Sequence, residues 1–442
     1  TSPPAALSQP PSGQAAPATP RLPAGPRWPR IVQTLMVWRK LDAFERRWNH
    51  RYGDVFTIKA LPWGTAVMIR DREMIKEIFT GDPAIFHAGE GNDLLAPVLG
   101  NQSVLVLDDE EHMRTRKRLL APFHGEAVRV YGQAVEEIAR EEIARWPIGE
   151  PFALHPRMRA ITLEVILRTV IGVEEPERLT QLRRVLPDTV DIKLWTMAMW
   201  TVPFLGHLGP WRRYKHTVRD AFALLDDEIA RRRVAPDLEQ RTDVLSLLVR
   251  AGEMDDSNLR DQIMSLLLAG HETTTTALAW AFERLLRTPR VLERARQAAD
   301  EGDDAYLDAV AKEALRIRPV IPAVTRRLTR PVKIGGYHFP AGVTLLPMIT
   351  LMHSSPELFA NPREFRPERF LEAQGDTYSW IPFGGGRRRC IGAAFATLEM
   401  RVTLRTILSE TELHAPDGRD EPVSNHHITL TPRYGARVIR TR

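Results

Sequence analysis

The chain has 442 residues, 43% of them apolar and 26% charged, a balance that sustains a large core and excludes a wholly disordered or collagen-like polypeptide. Its 61 basic and 56 acidic residues nearly cancel to a formal charge of +5, and no basic tail or stripe marks it for nucleic acid. A single cysteine excludes internal disulfides, Cys-rich zinc sites and clusters held by four thiolates, and fits a reducing cytoplasm.

Residues 1–30 hold nine prolines among Ala, Ser and Gln, a composition that buries too little surface to offset ordering. They are expected to form a disordered or extended leader without the apolar core of a secretory signal. From residue 31 to 442 there is no repeat, linker or composition shift, so one catalytic domain is expected. Short alternating stretches at Val55–Ile58 and Ala66–Ile69 predict strands, and period-3.6 patterns predict helices over Ala134–Trp146 and Arg157–Ile171. Leu194–Leu208 is the longest apolar stretch. It is too short for a membrane span and is broken by Pro203 and Gly206, so a mobile apolar lid is expected there and no transmembrane anchor. Further helices are predicted over Tyr214–Arg233, Ser257–Thr288, Ala305–Arg318 and Ala393–Leu408, with strands at Val332–Ile334, Tyr337–Phe339 and Ile428–Leu430. The fold class is mainly α with small β-sheets (α+β). No phosphate-cradling glycine loop follows any strand.

The helix from Ser257, a plausible N-cap, to Thr288 breaks its own propensity in the middle, at Ala269-Gly270-His271-Glu272-Thr273-Thr274-Thr275-Thr276. Ala269 and Gly270 remove bulk so that a flat ligand can lie against the backbone, and a threonine hydroxyl can back-bond one turn earlier. Glu272 beside Thr273 is an acid next to an alcohol, suited to ordering water and passing protons inward. A glycine that admits a crossing helix is the alternative. His271 reads as structural, because the spacing is not that of a His-Glu-x-x-His zinc helix.

The lone cysteine sits in Phe383-Gly384-Gly385-Gly386-Arg387-Arg388-Arg389-Cys390-Ile391-Gly392, directly before an amphipathic helix. A helix N-terminus and adjacent arginines favour a thiolate, and glycines let something flat approach the sulfur. A cysteine nucleophile would need a paired histidine, which the sequence does not reveal. An inert buried thiol leaves the glycines and arginines unexplained, whereas a thiolate ligand to haem accounts for both.

The run from Phe383 to Gly392 resembles the Phe-x-x-Gly-x-Arg-x-Cys-x-Gly signature of the cytochrome P-450 haem-thiolate monooxygenases. Ala269 to Thr274 resembles the family's oxygen-activation motif. Glu313-Ala314-Leu315-Arg316 resembles its Glu-x-x-Arg, and Phe365-Arg366-Pro367-Glu368-Arg369-Phe370 its Pro-Glu-Arg-Phe element, all in family order.

The resemblance implies a single triangular-prism-like domain with haem b between the long helix and the cysteine helix. Cys390 would be the proximal iron ligand, shielded by Phe383, with Gly384, Gly392, Ala269 and Gly270 against the cofactor. Arg388, His112, Arg116 and Arg326 would bind the propionates, Arg327 being the alternative to Arg326. Glu313, Arg316 and Arg369 would form a structural network, and Glu272 with Thr273 would deliver protons. The pocket would include Leu95, Leu194, Met197, Leu268, Ile321, Val324 and His427, for a fatty acid, terpenoid, steroid or polyketide-like substrate. The expected reaction uses O2 and two electrons from NAD(P)H through a separate ferredoxin or flavodoxin and its reductase. Arg387, Arg389, Arg114 and Lys117 are candidates for docking that partner, and a cytoplasmic monomer is expected. A peroxide-driven peroxygenase or an isomerase on the same haem, and a non-catalytic haem sensor or carrier, are the competing readings. A cysteine hydrolase would show no Soret absorption.

Overall fold

The helical periods appear in the computed structural model as α1 (Arg30–Tyr52), α2 (Arg72–Thr80), α3 (Asp109–Leu120), α4 (Glu126–Ile143), α5 (Leu154–Val165), α6 (Pro176–Val190), α7 (Gly209–Arg233), α8 (Val244–Ala251), α9 (Asp256–Leu286), α10 (Pro289–Glu301), α11 (Asp304–Ile317) and α12 (Ala393–Glu410). The structure describes residues 22–123, 126–190, 209–372, 376–426 and 428–442. The predicted lid, with Leu194 and Met197, and the predicted pocket residue His427 lie outside them. No described helix is long and apolar enough to cross a membrane.

α9 runs 31 residues, about 46 Å at ~1.5 Å per residue, and its flanks pack against α5, α7, α10, α11 and α12. Burial of most of its residues, from Leu259 to Leu285, explains how it survives glycine and four threonines: packing rather than propensity holds it. Its N-cap is Asp255, whose carboxylate accepts from the Asn258 amide at 2.8 Å. Ser257, the expected cap, instead donates to Asp255. The helix predicted over Arg157–Ile171 starts earlier, at Leu154, and its last turn, Ile166–Ile171, is π-helical.

Five strands form the largest sheet: β1 (Val55–Ala60), β2 (Gly64–Ile69), β8 (Thr344–Pro347), β5 (Arg326–Leu328) and β3 (Phe86–His87), in that order. β2 and β8 are parallel and the other neighbours antiparallel. Small sheets join β4 (Pro151–Ala153), β12 (Arg437–Arg440) and β9 (Leu413–His414), then β6 (Val332–Ile334) with β7 (Tyr337–Phe339), and β10 (Val423–His426) with β11 (Thr429–Pro432). The strand expected at Ile428–Leu430 is β11, and its polar partner β10 carries no apolar alternation to announce it.

The leader boundary at residue 31 needs correction. Leu22 to Pro29 dock on β1: Thr57 donates its hydroxyl to Pro23 O at 2.7 Å and its amide to Ala24 O at 3.2 Å, and Gln33 donates to Pro26 O at 3.2 Å. Proline lacks a donor but keeps its carbonyl acceptor, so a Pro-rich segment still pairs with a sheet edge. A Cβ on Gly25 would lie 1.8 Å from Thr57 O, which explains that glycine.

Glu45 of α1 is buried and accepts from the Thr350 hydroxyl at 2.8 Å; burial is the main cause that pushes its carboxyl up to about 8. The fold therefore holds a proton that the unfolded chain releases near 4.5. This contribution is complete below 4.5 and is lost as pH rises toward 8. Glu45→Gln should flatten the decline of the urea midpoint between pH 5 and 8 and stabilise the protein at the upper end; an unchanged pH slope would refute the assignment.

Candidate active site

A cavity of about 540 Å³ lies between the middle of α9 and the loop before α12. Its lining is mostly apolar and includes Leu95, Leu268, Ile321 and Val324, so these four expected pocket residues are brought together. Trp38 of α1 and Trp63 of the β1–β2 turn also line it, their rings stacked with centroids 5.9 Å apart. Neither carried a motif in the sequence.

On the α9 side, Ala269 and Gly270 face the cavity. A Cβ on Gly270 would approach Ile166 Cδ1 to 3.2 Å, so this glycine also eases the crossing with the π-helical turn after α5. The Thr273 hydroxyl donates to Ala269 O at 2.5 Å, the expected back-bond. Glu272 turns toward α5, where Arg159 Nη2 lies 2.7 Å from Oε2 and His155 Nε2 lies 3.7 Å from Oε1. Sequence reasoning missed both partners, because more than a hundred residues separate them from Glu272 and neither belongs to a motif. His271 is buried as expected of a structural residue, and burial pushes its imidazole down to about 3, holding it neutral.

On the opposite side, the Cys390 amide donates to Phe383 O at 2.9 Å, which folds the loop back on itself. Gly384 and Gly386 have φ of +66° and +64°. A Cβ on Gly385 would meet the Phe79 ring at 2.2 Å and one on Gly386 would meet Phe79 O at 1.9 Å, so these two glycines admit α2 rather than a ligand. Gly384 and Gly392 line the cavity. Cys390 lines the cavity and is exposed there. Burial pushes its thiol up, against the lowering by the Gly392 amide, Arg116 and Arg389. In the protein alone, then, the helix terminus does not by itself give the lowered thiol pKa expected from sequence: desolvation of the anion outweighs it.

His112, Arg116, Arg326 and Arg388 also line the cavity. Burial, then the charges of Arg388, Arg116 and Arg326, push His112 down to about 3. Burial likewise pushes Arg326 and Arg388 down to about 10. Asp108 offsets part of this charge through its ion pair with Arg388, whose guanidinium also donates to Val104 O and Leu107 O. Of the two arginine candidates, Arg326 is buried in the lining, whereas Arg327 is half-exposed and paired with Glu90 at 3.3 Å.

These residues fit haem. The sulfur, small residues on the α9 side and a surplus of cations in the lining match an iron ligand, a flat macrocycle and two carboxylates.

Beneath the loop, Arg316 donates to Glu313 at 2.7 and 2.8 Å and to His353 O, Pro362 O and Glu364 O. Glu313 also accepts from Arg369 Nε at 3.1 Å and from the Arg366 amide at 2.9 Å. The expected network is present and fully buried at Glu313 and Arg316.

A thiol and small helical residues around one apolar cavity, with cations at its edge, define a haem enzyme of the monooxygenase class. The family model for cytochrome P450 matches residues 22–439, and the chain belongs to that family. It is 45% identical over 428 residues to a putative cytochrome P450 135B1 of Mycobacterium bovis, covering 94% of this chain and 91% of the relative. To a putative cytochrome P450 135A1 of Mycobacterium tuberculosis it is 39% identical, covering 94% of each. A solved structure of a retinoic acid bound cyanobacterial CYP120A1 superposes with a TM-score of 0.84 at 23% identity, covering 96% of this chain and 99% of that one, which establishes the fold.

Proposed function

We propose that this enzyme inserts one oxygen atom from O2 into a small apolar molecule, by hydroxylation or epoxidation of a fatty acid, terpenoid, steroid or polyketide-like substrate. Two electrons come from NAD(P)H through a separate ferredoxin or flavodoxin and its reductase, and the enzyme works as a cytoplasmic monomer. Bound haem supplies the oxygen activation and redox chemistry.

Cys390 holds the iron, and Phe383 shields the sulfur edge-on against Trp380 at 5.9 Å. Arg116, Arg326, Arg388 and neutral His112 bind the propionates, where charge-assisted hydrogen bonds are strongest. Leu95, Leu268, Ile321 and Val324 exclude water and bind the substrate by apolar burial, about 25 cal/mol per Å2. Exposed Arg387, Arg389, Arg114 and Lys117 present positive charge to an acidic electron donor.

The reading rests above all on the acid-alcohol pair. Thr273 holds its proton on Ala269 O, and Glu272 in the cavity lining pairs with half-exposed Arg159. A peroxide-driven enzyme or a haem carrier has no need of a proton supply at this position. In Thr273→Ala, haem and substrate binding should persist while product formation per electron consumed falls roughly a hundredfold, in the range of a lost general acid, with hydrogen peroxide replacing product. Unchanged coupling, or turnover that ignores the electron donor and runs on added peroxide alone, would refute the reading.

A further inference from the structure

His87 ends β3 with only 12% of its side chain exposed, and carboxylates meet its ring on both edges. Nδ1 lies 2.9 Å from Glu90 Oε1 and 3.6 Å from Asp108 Oδ2, while Nε2 lies 3.3 Å from Asp109 Oδ2. A neutral imidazole has one N–H and one lone pair, so one of its edges would set a lone pair against a carboxylate oxygen. Only the imidazolium offers a donor to both. Burial opposes that charge, but the hydrogen bond to Glu90 and the charges of Asp108, Asp109 and Glu90 outweigh it and hold the ring above its ordinary 6.5.

The backbone around the ring is shaped to this arrangement. Asp109, the first residue of α3, takes a left-handed φ of +50°, uncommon for a residue with a side chain, where two successive carboxylates face one imidazole. The Asp108 carboxylate is fixed by three successive amides: those of Ala88 and Gly89 donate to Oδ1 at 3.0 and 2.9 Å, and that of Glu90 donates to Oδ2 at 2.9 Å. A Cβ on Gly89 would lie 2.6 Å from Asp108 Oδ2, so this glycine admits the anion. A carboxylate held in such a nest does not swing toward one cation or another, and its charge is shared among those that face it.

Two cations face it. Asp108 Oδ2 is turned to the His87 ring, and Oδ1 accepts from Arg388 of the cavity lining, so one carboxylate bridges the two. On β5, which pairs with β3 at Arg327 and His87, Arg327 meets Glu90 at 3.3 Å and its neighbour Arg326 lines the cavity. Asp93 adds one more carboxyl to the group, pushed up by burial and then by the charges of Glu90 and Asp108. His112, also in the lining and held neutral by a pKa of about 3, has no charge to lose near neutral pH.

We propose that His87 is a positioning residue for electron uptake: charged, it shares the Asp108 carboxylate with Arg388 and leaves that guanidinium more charge to set against a haem propionate, and on losing its proton it returns Asp108 to Arg388 alone, so that the haem becomes harder to reduce. A positive charge near the cofactor favours the added electron, so the reduction potential falls as pH rises through the titration of His87. This effect on the haem rests on the propionate role given above to Arg388, whereas the charge of the His87 ring does not.

The test is potentiometric titration of the haem-loaded full chain from about pH 6 to about pH 9, with His87→Gln as the neutral form and His87→Lys as the permanently charged one. The two variants should differ by about threefold in the reduction equilibrium constant, the order expected of one unit charge screened by solvent. The wild type should match the lysine variant at the acid end and cross to the glutamine variant at the alkaline end. Glu399, which also lines the cavity and is pushed up to about 8 by burial, titrates in the same range, but its contribution is common to all three proteins. In the reduced, CO-bound form the NMR signal of the His87 ring, identified by its absence from the glutamine variant, should titrate above 6.5. Equal potentials in the two variants at every pH, or a wild type that follows one of them over the whole range, overturn the proposal, and so does a ring that titrates below 6.5. A chain that takes up no haem overturns the cofactor reading and this proposal together, whereas haem-loaded variants of equal potential overturn this proposal alone.

Discussion

Glu313→Ala is expected to leave little or no folded, haem-loaded protein. Glu313 and Arg316 have fully buried side chains, and the carboxylate accepts from Arg316, from Arg369 and from the Arg366 amide. Removing it strands the Arg316 guanidinium beneath the surface with only carbonyl partners and leaves the Arg366 amide unsatisfied. Breaking a buried pair in this way costs about 3 to 5 kcal/mol, against a typical total stability of about 5 to 15 kcal/mol.

The damage should extend to the cysteine loop, because the contacts run there without a gap. Arg369 opens the short helical turn Arg369–Glu372, where Phe370 meets Trp380 edge-on at 5.6 Å; Trp380 meets Phe383, whose carbonyl accepts the Cys390 amide. Urea midpoints and the haem content of purified protein measure both effects. Glu313→Gln keeps the shape and part of the bonding, and should recover some of the loss. Ordinary yield, haem content and urea midpoint in Glu313→Ala would show that the network is dispensable.

That network shows how far a local pattern reaches. Glu313 and Arg316, one turn apart, form a pair visible from spacing, but the spacing alone would equally describe a solvated surface pair. Its burial follows from carbonyls at positions 353, 362 and 364, which no periodicity announces. The long helix and the cysteine loop were legible for the opposite reason: each violates local propensity, and such violations concentrate where a chain does chemistry. What the sequence hid were partners brought in by topology. Arg159 and His155 on α5 and the stacked Trp38 and Trp63 stand on ordinary helical or turn residues, and only folding carries them to the cavity. Two of the three glycines before Arg387 misled in an instructive way, since their missing side chains make room for Phe79 rather than for a ligand.

Cys390→Ser should separate chemistry from architecture. The side chain faces the cavity and its protein contact is the Gly392 amide, so an alcohol of nearly the same size should change stability by no more than about 1 kcal/mol. A serine hydroxyl, far less acidic than a thiol, does not supply the soft anionic ligand whose electron donation favours O–O cleavage. Haem retained by the cationic residues and the apolar walls should then show altered axial ligation, and the reduced, CO-bound form should lose the long-wavelength Soret band of a thiolate complex. O2-dependent product formation should fall at least about a hundredfold, close to 3 kcal/mol of lost barrier reduction. Arg116 and Arg389, which favour the anionic sulfur in the native protein, have no charge to favour in the variant. If the serine variant kept both its pigment and an unchanged axial ligand, the iron would have to be held from elsewhere, and the assignment of every residue around the cavity would have to be redrawn.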